Sequence, residues 1–307
     1  MNDLIQKFID LVNEYNVNGN NIILKENELL SKHSTFKIGG PAKLFCIPSS
    51  ASALIFLLET ARRLSLRTFV LGNGSNVLFD DAGFDGVIIS TSALNSVEFD
   101  GNVLSAECGA MLSSCAIKAR DHKLSGLEKL FGIPGTVGGA VFMNAGAYGG
   151  EISQVAVKTT YIDPETFEIK TVCGEEHEFG YRHSIFKKNN GIILKTFMEL
   201  VPSDIDAITS VMDECKAKRV EKQPLEYPSA GSTFKRYPGR YTGQMIDECG
   251  LKGRTVGGAQ VSEKHAGFVI NKGSATSADV LELIDIIKTT IKNAYGIEIQ
   301  TEVIYVK

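Results

Sequence analysis

The stretch FGIPGTVGGAVFMNAGAYGG, residues 131–150, decides how this sequence is interpreted. Seven of its twenty residues are glycine, and alanines lie among them. Such a stretch cannot fill a core with side chains, so we expect its backbone to touch a flat or phosphorylated ligand. Coincidental packing of small residues is the alternative.

A second glycine-rich segment, VLGNGSNVL, occupies residues 70–78. A predicted strand at 68–71 runs into two glycines and two asparagines, whose consecutive N–H groups can form an anion-binding nest. The segment is neither a Walker A loop nor a dinucleotide GxGxxG motif, and a tight turn is the competing interpretation. Two such segments in one chain suggest a large nucleotide cofactor.

Length and charge set broad limits. A chain of 307 residues predicts two domains, and its net charge of −4 argues against general nucleic-acid binding. Residues 216–254 nevertheless carry nine Lys or Arg against four Asp or Glu. This local excess predicts a site for a small anionic ligand, although a solvated helix end explains part of it, mostly at 216–222.

Other classes of protein receive no support. The N-terminus has the acids and the helical spacing of an amphipathic helix, not of a signal peptide, and no apolar run is long enough to span a membrane. We therefore expect a cytoplasmic protein. The six cysteines and five histidines are scattered without ligand spacing, so no metal site is expected.

Short strands alternate irregularly with helices, which predicts an α+β fold. Helices are expected at 49–65, 113–122, 205–218, 244–249 and 278–294, besides the N-terminal one. The segment EKQPLEYPS, residues 221–229, contains two prolines and is interpreted as a linker. A buried strand is predicted over 297–306.

Six segments, in order, resemble the UDP-N-acetylenolpyruvoylglucosamine reductase (MurB) family. They are HSTFKIGG (33–40), LGNGSNVL (71–78), GIPGTVGGAVFMNAGA (132–147), GYRHSIF (180–186), AGSTFK (230–235) and IQTEV (299–303). The resemblance extends from His33 to the C-terminus. Too few residues separate Gly150 from Tyr181 for the tyrosine loop that some members insert, so the chain resembles the shorter type of the family.

The resemblance implies a two-lobed FAD-binding domain of the vanillyl-alcohol-oxidase (PCMH) type over residues 1–200, with the lobes meeting near 90–100. Residues 201–307 would form an α+β substrate-binding domain, whose strand 297–306 returns a catalytic glutamate to the flavin site. It also implies non-covalent FAD, NADPH as hydride donor, and reduction of a UDP-sugar enolpyruvyl ether for peptidoglycan synthesis. We further expect a monomer, with no nucleic-acid partner and no membrane insertion.

Three residues match the catalytic positions of the family. Reduction of an enol ether develops negative charge toward its carboxylate, so the site needs preorganised donors and a proton source. The guanidinium of Arg182 suits a carboxylate, and Ser232 matches the proton donor. Glu302 matches the catalytic glutamate; a carboxyl on a buried strand must be paired or protonated, and a protonated one can donate a hydrogen bond to an enolate.

The other matched positions are expected to bind the cofactor or the substrate. Those implied for FAD are Leu71, Gly72, Asn73, Gly74, Ser75, Asn76, Gly135, Thr136, Val137, Gly138, Gly139, Ala140, Asn144, Ala145, Gly146 and Ala147. Those in segments that match substrate-binding regions are Tyr181, Lys235, Arg236, Lys252 and His265.

Two other functions remain open at this point. Another flavin enzyme of the same fold, such as an oxidase, would explain the glycine-rich segments but not the last third of the chain. A nucleotide-sugar binding protein without activity would explain the basic zone, but not Arg182, Ser232 and Glu302 together.

Overall fold

A computed structural model describes residues 2–307 and divides them into two compact units. The first contains residues 2–26, 44–73 and 86–217. The second contains Asn27–Lys43, Gly74–Asp85 and Lys218–Lys307. The boundary predicted at residue 200 is therefore not where the compact units divide, because two earlier segments pack with the C-terminal residues.

Within the described residues, helices and short strands alternate irregularly, as expected for an α+β fold. The helices are α1 Asn2–Val17, α2 Ala51–Arg63, α3 Leu112–Asp121, α4 Val137–Met143, α5 Phe186–Asn189, α6 Ile205–Lys222, α7 Thr242–Glu248 and α8 Ser277–Tyr295. The strands are β1 Ile22–Leu29, β2 Pro41–Pro48, β3 Thr68–Leu71, β4 Val77–Phe79, β5 Phe84–Ser90, β6 Val97–Asp100, β7 Val103–Glu107, β8 Leu124–Ser125, β9 Gly146–Ala147, β10 Gly150–Glu151, β11 Ala156–Ile162, β12 Ile169–Cys173, β13 Ile192–Glu199, β14 Val201–Pro202, β15 Thr255–Val256, β16 Ala259–Val261, β17 Val269–Asn271 and β18 Ile304–Val306. None of these helices is long and apolar enough to cross a membrane.

Two sheets organise the first unit. One has the order β1-β2-β5-β3, with β3 parallel to β5, and the other is antiparallel in the order β12-β11-β13-β7-β6. The change from one sheet to the other falls between Ser90 and Val97. Helix α2 packs on the core through Leu54, Leu57 and Leu58, and the Ser50 hydroxyl caps it by accepting from the Ala53 N–H.

The second unit has its own buried core, which contains Phe36, Leu78 and Ile287. The antiparallel sheet β15-β16-β17 belongs to this unit, as does helix α8. The helix begins at a capping box between Thr276 and Asp279, and Gly296 ends it in the left-handed conformation.

The C-terminal strand is shorter than the sequence predicts. Only β18 is a strand, and it pairs in parallel with β4, which precedes it by more than two hundred residues. Residues 297–303 form no continuous ladder; Thr301 makes an isolated bridge with Phe234 instead. The prediction of a strand over 297–306 is therefore wrong in its first part, because this segment pairs with single residues and not with a regular neighbouring strand.

Candidate active site

The first glycine-rich loop leaves β3 at Leu71, which is buried. Gly72 lies so close to Thr136 that an added Cβ would stand 2.5 Å from its Oγ1. The Asn73 side chain donates from Nδ2 to the Pro134 carbonyl at 2.7 Å. Within the first unit, the two glycine-rich segments are therefore held against each other, and this contact explains Gly72 without a ligand.

The amide groups of this loop provide a test for an anionic cofactor. Among residues 2–307, no backbone carbonyl or side chain accepts a hydrogen bond from the amides of Asn73, Gly74 and Ser75. Gly74 is buried and has a φ of +62°, and an added Cβ would lie 2.1 Å from the His33 carbonyl oxygen. Three successive amides without a protein acceptor fit the pyrophosphate of a dinucleotide.

The second glycine-rich segment uses its amides differently. At the start of α4, the Val137 N–H donates to the Ala110 carbonyl at 2.8 Å, and the Gly138 N–H donates to Cys108 at 2.9 Å. The Thr136 hydroxyl caps the helix by accepting from the Gly139 N–H at 3.4 Å. The amides of Val137 and Gly138 are therefore already occupied, and the absence of a side chain at Gly138 is explained by the Cys108 side chain 2.9 Å away.

Gly139 differs from these neighbours. A Cβ added there would meet no protein atom closer than the Thr136 Oγ1 at 3.6 Å. Packing of the described residues therefore does not require glycine at this position, whereas a ligand lying on the backbone would. Gly139 fits the predicted role of contacting the cofactor better than Gly138 does.

Asn144 holds a turn of the chain. It ends α4 with a φ of +43° and is almost completely buried. Its Nδ2 donates to the Gly180 carbonyl at 3.1 Å, and its Oδ1 accepts from the Ser153 N–H at 3.0 Å. Asn144, predicted to contact FAD, therefore uses Nδ2 to hold the turn that carries Arg182 and Oδ1 to hold the segment at Ser153. The next predicted residues, Gly146 and Ala147, form the short strand β9 paired with β10.

Arg182 lies on a two-residue turn. Gly180 and His183 exchange backbone hydrogen bonds at 3.1 Å in both directions, so Tyr181 and Arg182 form the tip. Arg182 adopts a φ of +53°, which is unfavourable for a residue with a side chain. Its guanidinium lies 5.2 Å from the centre of the Tyr181 ring, which is half exposed. The turn, which we call the arginine turn (Gly180–His183), presents both predicted residues at the surface of the first unit.

In the second unit, the backbone brings Ser232 and Glu302 together. The Glu302 N–H donates to the Thr233 carbonyl at 2.8 Å, and the Lys235 N–H donates to the Gln300 carbonyl at 2.9 Å. Ser232 is exposed and follows Gly231, whose φ is +75°, while Glu302 is half-buried. Two residues that are seventy positions apart are therefore adjacent through main-chain pairing, which we call the serine–glutamate pairing (Ser232–Lys235 with Gln300–Glu302).

The first glycine-rich loop also supports Glu302. The Asn76 side chain donates from Nδ2 to the Glu302 carbonyl at 3.2 Å, and the Ile304 N–H donates to the Asn76 carbonyl at 3.0 Å. Asn76, predicted to contact FAD, thus fixes the backbone on the C-terminal side of the catalytic candidate. This contact lies within the second unit.

A cavity of about 410 Å³ lies beside Ser232 in the second unit. It is lined by Ser232, Phe234, Arg236, Tyr241, Thr242, Gly243, Gln244, Asp247, Lys252, Lys264, His265, Ala266 and Gly267. Four predicted residues line it: Ser232, Arg236, Lys252 and His265. Lys235 does not line the cavity, and its Nζ donates to Gln300 Oε1 at 3.2 Å. Tyr181 belongs to the first unit.

The charges around the cavity favour an anion. Arg236, Lys252 and Lys264 line it, and one acid, Asp247, forms an ion pair with Lys252 at 2.6 Å. Lys264 donates to the Val220 carbonyl at 2.7 Å. Three cations against one carboxylate leave a positive excess that suits a diphosphate.

His265 is a neutral group in this cavity. Its Nδ1 accepts from the Gly267 N–H at 3.1 Å, so the ring carries its proton on Nε2. Burial lowers the pKa of His265, and the positive charge of Lys252 acts in the same direction. A Cβ added at Gly267 would lie 2.9 Å from the His265 ring, so packing against this ring accounts for the absence of a side chain at residue 267.

Several residues that line the cavity were not predicted. Gln244, Asp247 and Lys264 carry polar groups with no recognisable motif, and only the fold brings them together. Tyr241 has a local signal, since it ends the stretch KRYPGRY, in which aromatic and basic residues alternate around a Pro-Gly turn. Within residues 2–307, no group of His, Cys, Asp or Glu has an arrangement that could hold a metal ion.

Comparisons with known proteins identify first a class and then a family. The model of the FAD binding domain matches residues 42–166, which places the chain among FAD-binding proteins. The model of the UDP-N-acetylenolpyruvoylglucosamine reductase C-terminal domain matches residues 223–306. The expected fold class, an α+β FAD-binding domain followed by a separate C-terminal domain, is confirmed.

The relatives agree with these matches. The UDP-N-acetylenolpyruvoylglucosamine reductase of Caldanaerobacter subterraneus subsp. tengcongensis is 45% identical over 286 residues, covering 92% of this chain and 94% of the relative. That of Clostridium tetani is 41% identical and covers 99% and 96%. The crystal structure of the reductase from Thermus caldophilus is 31% identical, with a TM-score of 0.80 over 94% of this chain and 100% of that one. The chain belongs to the UDP-N-acetylenolpyruvoylglucosamine reductase family.

Proposed function

We propose that this chain catalyses the NADPH-dependent, FAD-mediated reduction of UDP-N-acetylglucosamine enolpyruvate to UDP-N-acetylmuramate, a step in peptidoglycan precursor synthesis. The membership in the family and the match to the FAD binding domain support this activity. The structural observation that carries it is the serine–glutamate pairing, in which main-chain hydrogen bonds join Ser232–Lys235 to Gln300–Glu302 while Ser232 lines a cationic cavity.

FAD would be held by the two glycine-rich segments. The amides of Asn73, Gly74 and Ser75 are suited to its pyrophosphate, and the open backbone at Gly139 is suited to close contact. The chemistry that bound FAD would supply is the passage of a hydride from NADPH to the substrate. Neither segment contains a histidine or cysteine to which FAD could be tethered, which supports non-covalent binding.

Each of the three catalytic candidates is assigned a separate role in the reduction of the substrate. Reduction of the enol ether develops negative charge toward the substrate carboxylate, which the fork of Arg182 can bind through two parallel hydrogen bonds. The hydroxyl of Ser232 delivers a proton to the carbon next to that carboxylate. Glu302, whose backbone is fixed through its own N–H and carbonyl, would help to stabilise the enolate.

The remaining predicted roles follow from the cavity. Arg236 and Lys252 would bind the diphosphate of the UDP-sugar, with His265 as an uncharged donor through Nε2–H. Lys235 would act from outside the cavity by holding Gln300.

We also propose that the enzyme works in the cytoplasm as a monomer, without a nucleic-acid partner or membrane insertion. All six cysteines are free thiols, which suits a reducing compartment. Burial raises the pKa of Cys46, Cys108 and Cys115 to about 12, so these thiols remain protonated and unreactive.

The purified holoprotein provides the test. We expect it to show the visible absorbance of oxidised flavin, to release that flavin on acid precipitation, and to lose the absorbance under anaerobic NADPH. Addition of the enolpyruvyl substrate should then restore the absorbance and yield UDP-N-acetylmuramate. A colourless protein, or a reduced flavin that only oxygen reoxidises, would contradict the proposal.

A further inference from the structure

A turn at the rim of the cavity has no role in the mechanism so far. Residues 235–241, which we call the rim turn, run through Pro238 and Gly239, and the Arg240 N–H closes the turn by donating to the Tyr237 carbonyl at 3.0 Å. Gly239 has a φ of +76°, as the third position of a type II turn requires. The Thr242 hydroxyl donates to the Lys235 carbonyl at 2.6 Å, which closes the base of the turn.

Tyr241 is the aromatic residue of this turn that faces the cavity. Its side chain is 61% exposed, yet it lines the cavity together with Arg236. The Arg236 guanidinium lies 5.0 Å from the centre of the Tyr241 ring, within the range of a cation–π contact. The ring is therefore oriented by a neighbour while much of its surface stays open to a ligand.

The chemistry around the ring has two parts. Lys252 and Lys264 supply positive charge for phosphates, and Tyr241 supplies a flat apolar surface at the same cavity. A nucleoside diphosphate needs both, because its phosphates seek cations and its base stacks on aromatic rings. An inorganic anion or an unlinked sugar would use only part of this arrangement.

We propose that Tyr241, oriented by Arg236, stacks on the nucleobase of a nucleoside diphosphate whose phosphates lie among the lysines of the cavity. The inference rests on the proposed function, since it assigns the nucleotide part of that substrate to this cavity. It adds a residue that determines specificity for the nucleotide, and it leaves the chemical step to Arg182, Ser232 and Glu302.

Tyr237 provides a matched control. It belongs to the same turn and is partly exposed, but it does not line the cavity. A change in the stability of the turn should appear in variants of both tyrosines. A loss of stacking should appear only in variants of Tyr241.

The first experiment measures binding to the holoenzyme with UDP and inorganic pyrophosphate as probes. We expect Y241A to raise the Kd for UDP about tenfold, as base–aromatic stacking predicts, and to leave the Kd for pyrophosphate unchanged. Y241F should bind UDP as the wild type does, and Y237A should bind both probes as the wild type does.

The second experiment uses the absence of tryptophan from the chain. Y241W carries a single indole at the cavity, and Y237W carries one outside it. UDP should quench the fluorescence of Y241W, whereas pyrophosphate should not, and neither probe should change that of Y237W.

The outcomes separate this inference from the proposed function. If the wild type turns over the enolpyruvyl substrate while Y241A binds UDP as tightly as the wild type, the stacking role is wrong and the reductase stands. The same conclusion follows if Y241F loses as much affinity as Y241A, or if UDP leaves Y241W fluorescence unchanged. If the wild type neither binds UDP nor reduces the substrate, the proposed function is wrong and the inference falls with it.

Discussion

The arginine turn of the first unit and the serine–glutamate pairing of the second present catalytic candidates in opposite ways. Arg182 stands at the tip of a local turn, in a strained backbone conformation that the buried Asn144 holds from below. Ser232 and Glu302 come from distant parts of the chain and are joined by ordinary main-chain hydrogen bonds. A buried side chain, Asn144, therefore ties the first arrangement to α4, whereas the second is held mainly by main-chain hydrogen bonds that most substitutions leave intact.

The largest effect is expected at the serine–glutamate pairing. E302Q should fold normally, because the backbone of residue 302 makes the pairing, but its turnover should fall by about a hundredfold through loss of the acidic group. The control is E298Q, since Glu298 is exposed and forms an ion pair with Lys292 at 2.7 Å. Steady-state turnover with NADPH compares the two; equal rates for E302Q and the wild type would remove Glu302 from the chemistry.

R182G, at the arginine turn, should lower activity while leaving the stability of the protein nearly unchanged. Glycine suits a φ of +53°, so the free energy of unfolding should stay within about 1 kcal/mol of the wild type. Turnover should fall by about a hundredfold, because the substrate carboxylate loses the guanidinium group that binds it. Lys123, exposed with a φ of +57°, provides the control K123G, for which turnover should not change.

Unfolding in urea and turnover, measured together, distinguish a structural role of Arg182 from a role in binding the substrate. A strongly destabilised R182G would mean that the arginine is held for structural reasons. A fully active R182G would mean that another group binds the substrate carboxylate.

The variant N144A tests whether Asn144 stabilises the arginine turn. N144A removes two buried hydrogen bonds and leaves alanine at a φ of +43°, so we expect a loss of about 2–4 kcal/mol in stability. Turnover should also fall, because the arginine turn is no longer tied to α4. N190A is the control: Asn190 ends α5 with a φ of +55° but is exposed, so only about 1 kcal/mol should be lost.

Flavin content separates two roles for Asn144. If N144A loses flavin while its stability matches that of N190A, then Asn144 contacts the cofactor and does not support the turn. Retained flavin with lowered stability agrees with the structure.

The smallest effect concerns pH. His177 is buried, its Nε2 lies 2.9 Å from the Thr159 hydroxyl, and its carbonyl accepts from the Ile185 N–H beyond the arginine turn at 2.7 Å. Burial lowers the pKa of His177, so the neutral form is favoured in the folded state. Stability is then complete above the unfolded-state pKa of about 6.5 and falls as the pH drops below it.

We expect the wild type to lose about 1 kcal/mol between pH 7.5 and 5.5, and H177Q to lose less over the same interval. H122Q is the control, because His122 is exposed on α3. Urea unfolding at the two pH values measures this slope. An identical slope in H177Q and the wild type would show that another group causes the pH dependence.

The parts of the fold that depend on local signals were predictable from the sequence. Strand β3 has the predicted bounds, and α8 differs by one residue at each end, because capping residues and apolar spacing define them. The unit boundary and the C-terminal strand were not predictable, since residues 27–43, 74–85 and 297–303 are placed by distant partners. Local sequence patterns do not identify such distant partners.

The same distinction holds for the candidate site. Ser232, Arg236, Lys252 and His265 line one cavity as members of matched segments, whereas Gln244 and Asp247 have no motif. The resemblance implies FAD contacts for Gly72 and Gly138, but the absence of a side chain at these positions is explained by contacts with Thr136 and Cys108. Whether a glycine accommodates a neighbour or a ligand depends on the fold around it.

The proposed mechanism requires Ser232 to supply the proton and to take no part in flavin reduction. Stopped-flow measurement of the two half-reactions in S232A separates these roles. We expect NADPH to reduce the bound flavin at the wild-type rate, and the enolpyruvyl substrate to reoxidise it about a hundredfold more slowly or worse. Reoxidation of S232A at the wild-type rate would contradict the account.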